Sequence, residues 1–202
     1  FNPFIMKNYF SLATLLLVFA CVTFSFTNAL ITKSVDTQQS QVTWKGYKVT
    51  GSHEGTINVK DGQLTFDGDT FTGGSFVMDM TSITVTDLEG EYAQKLEGHL
   101  KSPDFFGVET HPTAQFKITN VVSRGITGEY KVVGNLTIKD KTNPVKFNAV
   151  INAAASGDTA TADITIDRSE YDIRYGSGSF FDNLGDKTIY DEFELHVELV
   201  TE

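Results

Sequence analysis

The sequence predicts an all-β protein: an antiparallel sheet closed into a barrel, with one helical insertion at about residues 87–106. Three observations carry this. Apolar and polar residues alternate in eight or nine short runs, the period of strands with one buried and one wet face. Short turns join most of these runs, and up-and-down connectivity with that many strands favours closure over exposed edges. Only at Leu88, Tyr92, Leu96 and Leu100 does the spacing change to every fourth residue, which forms one stripe on a helix. A two-sheet sandwich is the alternative architecture.

The chain has 202 residues, 40% hydrophobic and 21% charged. This suits one domain with a substantial core and argues against global disorder. The formal net charge of −10 repels a phosphate backbone, and no basic stripe offsets it, so nucleic acid is disfavoured as a partner. Residues 6–29 contain one basic residue, Lys7, then an apolar run over residues 12–22 and the small-residue exit Thr27-Asn28-Ala29. That is the pattern of a secretory signal peptide, and it implies a periplasmic or secreted protein. An N-terminal anchor is the competing reading, but the run is short for a span of roughly 20 apolar residues. Phe1 to Ile5 precede the first Met and read as a start-site artefact. Cys21, the only cysteine, lies inside the signal, so no disulfide is expected after cleavage. It faintly resembles a lipoprotein site, and lipid anchoring is the minor alternative.

Val42 and Trp44 alternate with Thr43 and Lys45 to begin the first clear strand. Gly55, Ile57 and Val59 share the inward face of the next. Asp61-Gly62 reads as a hairpin turn, after which Leu64 and Phe66 resume the pattern until Asp67-Gly68-Asp69. Residues 70–82 place Phe76, Met78 and Met80 on one face, with a bulge or bend expected at Gly73-Gly74. Thr86 and Glu89 have capping-box spacing for the helix. Pro103 ends it, and Ser102-Pro103 caps one further short turn carrying Phe105-Phe106. Ala114, Phe116 and Ile118 open the second half. Tyr130, Val132, Leu136 and Ile138 follow, with Gly134 on the same row. Val145, Phe147, Ala149 and Ile151 come next, then Ala160, Ala162, Ile164 and Ile166. Phe193, Leu195, Val197 and Leu199 complete the set. Periodicity fails over residues 168–187, a segment that reads as a flexible loop at the barrel mouth.

Chemistry is sparse. His53, His99, His111 and His196 have no metal-ligand spacing, so no metal or cofactor is expected. Acidic clusters at residues 67–69 and 87–91 lack the ligand pattern of a calcium loop and read as solvated turns. No nucleophile elbow is present, and Gly176-Ser177-Gly178-Ser179 is wrongly spaced for one. Asn135-Leu136-Thr137 matches a glycosylation sequon but lies in mid-strand. What remains is an apolar interior, rich in Phe. At about eight strands, a barrel is at the boundary between being filled by side chains and holding one small apolar ligand. Periodicity does not choose between them.

The stretch His99-Leu100-Lys101-Ser102-Pro103-Asp104-Phe105-Phe106, followed by Pro112-Thr113-Ala114-Gln115-Phe116, resembles the signature of the YceI-like family. Gly134-Asn135-Leu136-Thr137-Ile138, residues 142–147 and Ile166-Asp167-Arg168 with Tyr171-Asp172-Ile173 extend the likeness over residues 35–200. Two departures stand out: Glu97-Gly98 replaces the family's Arg-Asp before the His-Leu, and Asp140-Lys141 replaces a turn glycine. The resemblance implies an eight-stranded antiparallel lipocalin-like barrel around an elongated apolar cavity. It also implies a non-catalytic role with an isoprenoid lipid, a polyprenol or isoprenoid quinone, as ligand. The residues expected to wall or plug the cavity are Phe76, Met78, Met80, Leu96, Leu100, Phe105, Phe106, Phe116, Ile118, Val132, Leu136 and Phe147. The Leu88, Tyr92, Leu96 and Leu100 stripe is expected to face it. The competing reading is a stress-response or interaction module with a barrel filled by side chains, and homodimerisation stays open.

Overall fold

In a computed structural model, which describes residues 29–153 and 157–202, the alternating runs become nine antiparallel strands. They are β1 (Leu30–Ser34), β2 (Gln41–Lys48), β3 (Gly51–Asp67), β4 (Thr70–Val85), β5 (Thr113–Ser123), β6 (Glu129–Ile138), β7 (Lys141–Asn152), β8 (Thr159–Asp167) and β9 (Ile189–Val200). The signal expected at residues 6–29 falls, except for Ala29, outside the described residues. Strands β2 to β9 close on themselves: β3 pairs with β2, the sheet runs on through β9, β8, β7, β6 and β5 to β4, and β4 pairs back with β3. This is an eight-stranded barrel, not a sandwich. β1 is an extra strand. β2 covers the edge of β3 from Gly51 to Ile57, and β1 covers the same edge from Gln63 to Asp67.

Asp61-Gly62 is not a turn. β3 passes straight through it at a bulge between Val59 and Asp61, with Gly62 opposite Phe76. Pairing with β4 along nearly the whole strand outweighs the local turn preference. The chain reverses instead at Gly68, whose φ of +59° suits a residue without Cβ. The expected irregularity at Gly73-Gly74 is present as a register shift between Thr65 and Phe66, opposite this pair. Gly134 leaves space for a neighbour: a side chain there would collide with the Phe116 ring and the Lys117 carbonyl.

The helix α1 (Gly90–Lys101) is shorter than the expected insertion. Its N-cap is Glu89, which makes no side-chain capping bond, while the Thr86 hydroxyl donates to the Glu54 carbonyl at 3.3 Å. The capping box therefore does not form. Gly90 has φ of +61°, outside the helical region, and breaks the stripe between Leu88 and Tyr92. Tyr92 points to solvent, Leu88 and Leu96 pack partly buried against the core, and only Leu100 is buried. Beyond α1, the Ser102 carbonyl accepts from the Phe105 and Gly107 amides at 3.1 and 2.8 Å. That turn directs Phe105 into the core.

The β4–β5 and β8–β9 connections emerge at the same barrel end. α1, residues 102–112 and residues 168–188 therefore gather over it. At the opposite end, the Phe71 ring meets Phe66 and Tyr130 at centroid distances of 5.7 and 5.4 Å. Burying such a ring contributes about 1.5–3 kcal/mol, so this end is a packed base.

Candidate binding cavity

Because cross-strand partners face the same way, the inward rows of β2 to β9 converge on one space. It is not filled: a cavity of about 220 Å³ runs inside the barrel, lined from all eight strands. Phe76, Met78 and Met80 of β4, Phe116 and Ile118 of β5, Val132 and Leu136 of β6, and Phe147 of β7 all line it. Leu100, Phe105 and Phe106 close over it from the α1 side. Leu96 does not reach it. One helical turn before Leu100, it packs on the core flank instead.

The wall extends beyond the residues that the sequence pattern singles out. Trp44, Ile164, Phe193, Leu195 and Val197 line the same space. Their alternation on β2, β8 and β9 was the available signal. Gly46 was missed altogether: it pairs with Phe193 on the inward row, and nothing lies within 4 Å of where its Cβ would stand. It therefore leaves a gap in the wall. Phe116 of β5 bridges β4 and β7 across the interior, with ring centroids 6.5 Å from Phe76 and 5.5 Å from Phe147.

The larger omission is Arg168. Residues 168–187, expected as a flexible mouth loop, begin with some of the most buried side chains among the described residues. Arg168 is 2% exposed, and Tyr171 and Ile173 are fully enclosed. A 3-10 turn at Arg168–Tyr171 turns the chain inward. The guanidinium donates to the carbonyls of Ile173, Ile189 and Tyr190 at 2.7, 3.0 and 3.2 Å, and Asp191 stands 3.2 Å away as counter-charge. Burial lowers the Arg168 pKa, and the nearby Asp191 and Asp167 oppose that effect. The guanidinium carbon lies 5.4 Å from the Phe105 ring centroid, within cation–π range. Arg168 thus ties the loop to the helix-exit turn directly above the cavity. A buried charge needs such partners, and they come from positions that no local pattern brings together.

Further contacts seal this end. His99 stacks edgewise on Phe105 and Tyr175, with centroids 5.5 and 4.3 Å away, and burial pushes its pKa down. Lys139, in the β6–β7 turn, donates from Nζ to the Phe105 carbonyl at 2.9 Å. Glu97, at the first departure from the family pattern, accepts from the Val85 amide at 2.9 Å and fastens α1 to β4. At the second departure, Lys139 and Asp140 make the turn with φ of +48° and +64°.

The other histidines sit outside the cavity in pairs. His53 meets Asp87 at 2.9 Å, His111 meets Asp140 at 3.4 Å, and His196 meets Asp163 at 2.6 Å. No group of three metal-ligating side chains converges among the described residues. Trp44 donates from Nε1 to the Thr84 carbonyl at 3.1 Å, and the Tyr47 hydroxyl to Glu194 at 2.7 Å. The Trp44 and Tyr47 polar atoms are thereby committed to the protein itself.

Known proteins repeat this architecture. The chain superimposes on Burkholderia cenocepacia BcnA with a TM-score of 0.68 at 22% identity, covering 83% of this chain and 99% of that one. A polyisoprenoid-binding domain from Saccharophagus degradans, implicated in plant cell wall breakdown, matches with a TM-score of 0.59 at 14% identity, covering 86% and 99%. In sequence, a UPF0312 protein of Vibrio cholerae serotype O1 is 31% identical over 96 residues, and one of Photorhabdus laumondii is 34% identical over 95. These stretches cover 48% of both chains in the first case, and 47% of this chain and 46% of the relative in the second. The chain thus spans about half the length of the curated relatives it matches. The YceI-like domain matches residues 34–201, nearly all of the described chain, and the protein belongs to that family.

Proposed function

We propose that the protein is an exported, non-catalytic carrier that holds a long-chain isoprenoid lipid, a polyprenol or isoprenoid quinone, inside the barrel. The observation that carries this reading is the unfilled, apolar space of about 220 Å³ beneath the Arg168–Phe105 plug. A dry apolar cavity of about 150 Å³ is known to hold benzene, so this one accepts a section of hydrocarbon chain. Each buried carbon contributes about 0.8 kcal/mol, so a five-carbon unit gains about 4 kcal/mol before ordering costs. A fatty acid fits less well. Its carboxylate would seek a cation, and Arg168, the one charged side chain on the lining among the described residues, is already satisfied by three carbonyls and Asp191. Among the described residues the lining is almost wholly apolar, with Arg168, Thr161, Tyr47 and Tyr190 as its polar members, which supports a binding role. The polyisoprenoid-binding neighbour shares the fold and adds support for this ligand class.

Export rests on the signal pattern of residues 6–29. Mass spectrometry of organic extract from protein purified out of its native cells tests the carrier reading, with an isoprenoid co-purifying as the expected result. Repeated absence of lipid, together with no uptake of added polyprenol, refutes it. N-terminal sequencing of that material tests export: a start near residue 30 supports it, and a start at Met6 refutes cleavage.

A further inference from the structure

A chain of many isoprene units exceeds a cavity of about 220 Å³, and side chains cover much of both barrel ends, with Gly46, Tyr47 and Tyr190 bordering the cavity at the helix end. Phe66, Phe71 and Tyr130 pack one end, and Phe105, His99 and Arg168 plug the other. The wall itself is uneven. β6 and β7 pair continuously from Glu129–Val150 to Ile138–Lys141, and β8 and β9 from Thr159–Val200 to Asp167–Glu192. Between β7 and β8 the ladder holds only from Asn152–Thr159 to Ala149–Ala162, and then stops. The β4–β5 ladder is also short, from Asp79–Thr113 to Ser75–Lys117, but its unpaired part lies beside the packed Phe66–Phe71–Tyr130 end. Residues 143–148 and 163–167 are both still in strand, but do not pair with each other.

The unpaired stretch has the form of a framed slot. Its lower edge is the last rung, Ala149–Ala162. At its upper edge Asn143 Nδ2 donates to the Glu170 carbonyl at 2.8 Å, where the Arg168–Tyr171 turn packs on β7. Pro144, at the β7 side of the slot, has no N–H to offer a neighbour. Continuing the register would place Phe147 opposite Ile164 and Val145 opposite Ile166, and all four of these side chains line the cavity. Lys146 and Thr165 alternate with them and are exposed. An opening here is apolar within and polar at the rim.

We propose that the seam between β7 and β8 is a lateral portal. Through it the hydrocarbon chain of a prenyl lipid reaches the cavity, and from it the polar end protrudes into solvent. This rests on the carrier reading above and adds the route. The strands part to pass the chain because, among the described residues, the Asn143 bond is the one hydrogen bond across the seam above the last rung, and the remaining contacts are apolar side chains that the hydrocarbon can replace.

Stapling tests it. The described residues contain no cysteine, so a Lys146→Cys/Thr165→Cys pair is the only thiol pair once the signal is removed. Closure is verified by mass, with a bismaleimide bridge if the disulfide does not form. Trp44, the only tryptophan and part of the lining, reports uptake. A geranylgeranyl-tailed naphthoquinone serves as the quenching probe. Stapled protein is expected to quench more slowly than the reduced or uncoupled pair, because a closed gate limits ligand entry. A control staple, Val77→Cys/Gln115→Cys in the middle of the paired β4–β5 ladder, is expected to leave the rate unchanged. Equal rates with and without the β7–β8 staple overturn the portal while the carrier reading stands. So does equal slowing by both staples. No quenching in the unsubstituted protein overturns the carrier reading and the portal with it.

Discussion

Gly46→Leu is the substitution that separates a working cavity from an incidental packing void. Gly46 faces inward opposite Phe193, and its missing side chain leaves open space. A leucine there adds four carbons to the cavity. At about 0.8 kcal/mol per buried carbon this is worth about 3 kcal/mol, and lost rotamer freedom takes back about 0.5–1 kcal/mol. The upper limit is set by the void itself: at about 24 cal/mol per Å³, an empty space of 220 Å³ costs about 5 kcal/mol. A net gain of about 2 kcal/mol raises the melting temperature of a chain this size by about 4–8 °C. The same carbons displace ligand, so prenyl-lipid affinity falls by up to about 3 kcal/mol, roughly two orders of magnitude. The assays are scanning fluorimetry on delipidated protein and titration with the prenyl naphthoquinone, followed by Trp44 quenching. Higher stability with weaker binding is the expected pair of results. A lower melting temperature in delipidated protein, or unchanged affinity, refutes the reasoning, because Gly46 would then not border usable space.

Arg168→Met leaves the Ile173, Ile189 and Tyr190 carbonyls without their donor and Asp191 without its counter-charge. Urea unfolding should register a loss of about 3–5 kcal/mol. Tyr171→Phe should do the opposite. The Tyr171 hydroxyl is buried without a hydrogen-bond partner among the described residues, and burial pushes its pKa up to about 12. Removing it should stabilise by about 1 kcal/mol, read in the same unfolding curves. His99 gives a pH test. Its folded pKa lies below the ordinary 6.5 because burial disfavours the imidazolium, so the unfolded chain takes up its proton first. Stability is full above about pH 6.5 and falls as pH drops through the lowered folded value. His196 has the reverse sign, since its hydrogen bond to Asp163 raises its pKa, but it is largely exposed and its effect is weak. His99→Phe should flatten the decline in melting temperature between about pH 7 and about pH 5; an unchanged slope would assign that decline to other groups.

Local order was legible in the residues because strand alternation is a local property. Phe116 against Gln115, or Leu195 against Glu194, shows which side of the chain is wet without any partner in view. Such rows predict a closed barrel, and the inward side of β4 to β7 supplies part of its wall. The change of period at Leu96 and Leu100 announced the helix, and Pro103 announced its end.

What tertiary structure decided was wherever a distant partner outweighs a local preference. Asp61-Gly62 has turn chemistry, yet β4 on one side and the neighbouring β1 keep β3 extended past it. The helical stripe does not face the cavity as a whole, because α1 lies along β4 and only its last turn, at Leu100, reaches the mouth. Arg168 looks like a loop cation until three carbonyls from residues 173, 189 and 190 surround it. The seam between β7 and β8 is likewise invisible in two rows that both alternate well. Alternation records which face is buried, whereas pairing depends on how the barrel closes, and that is settled only when all the strands are in place.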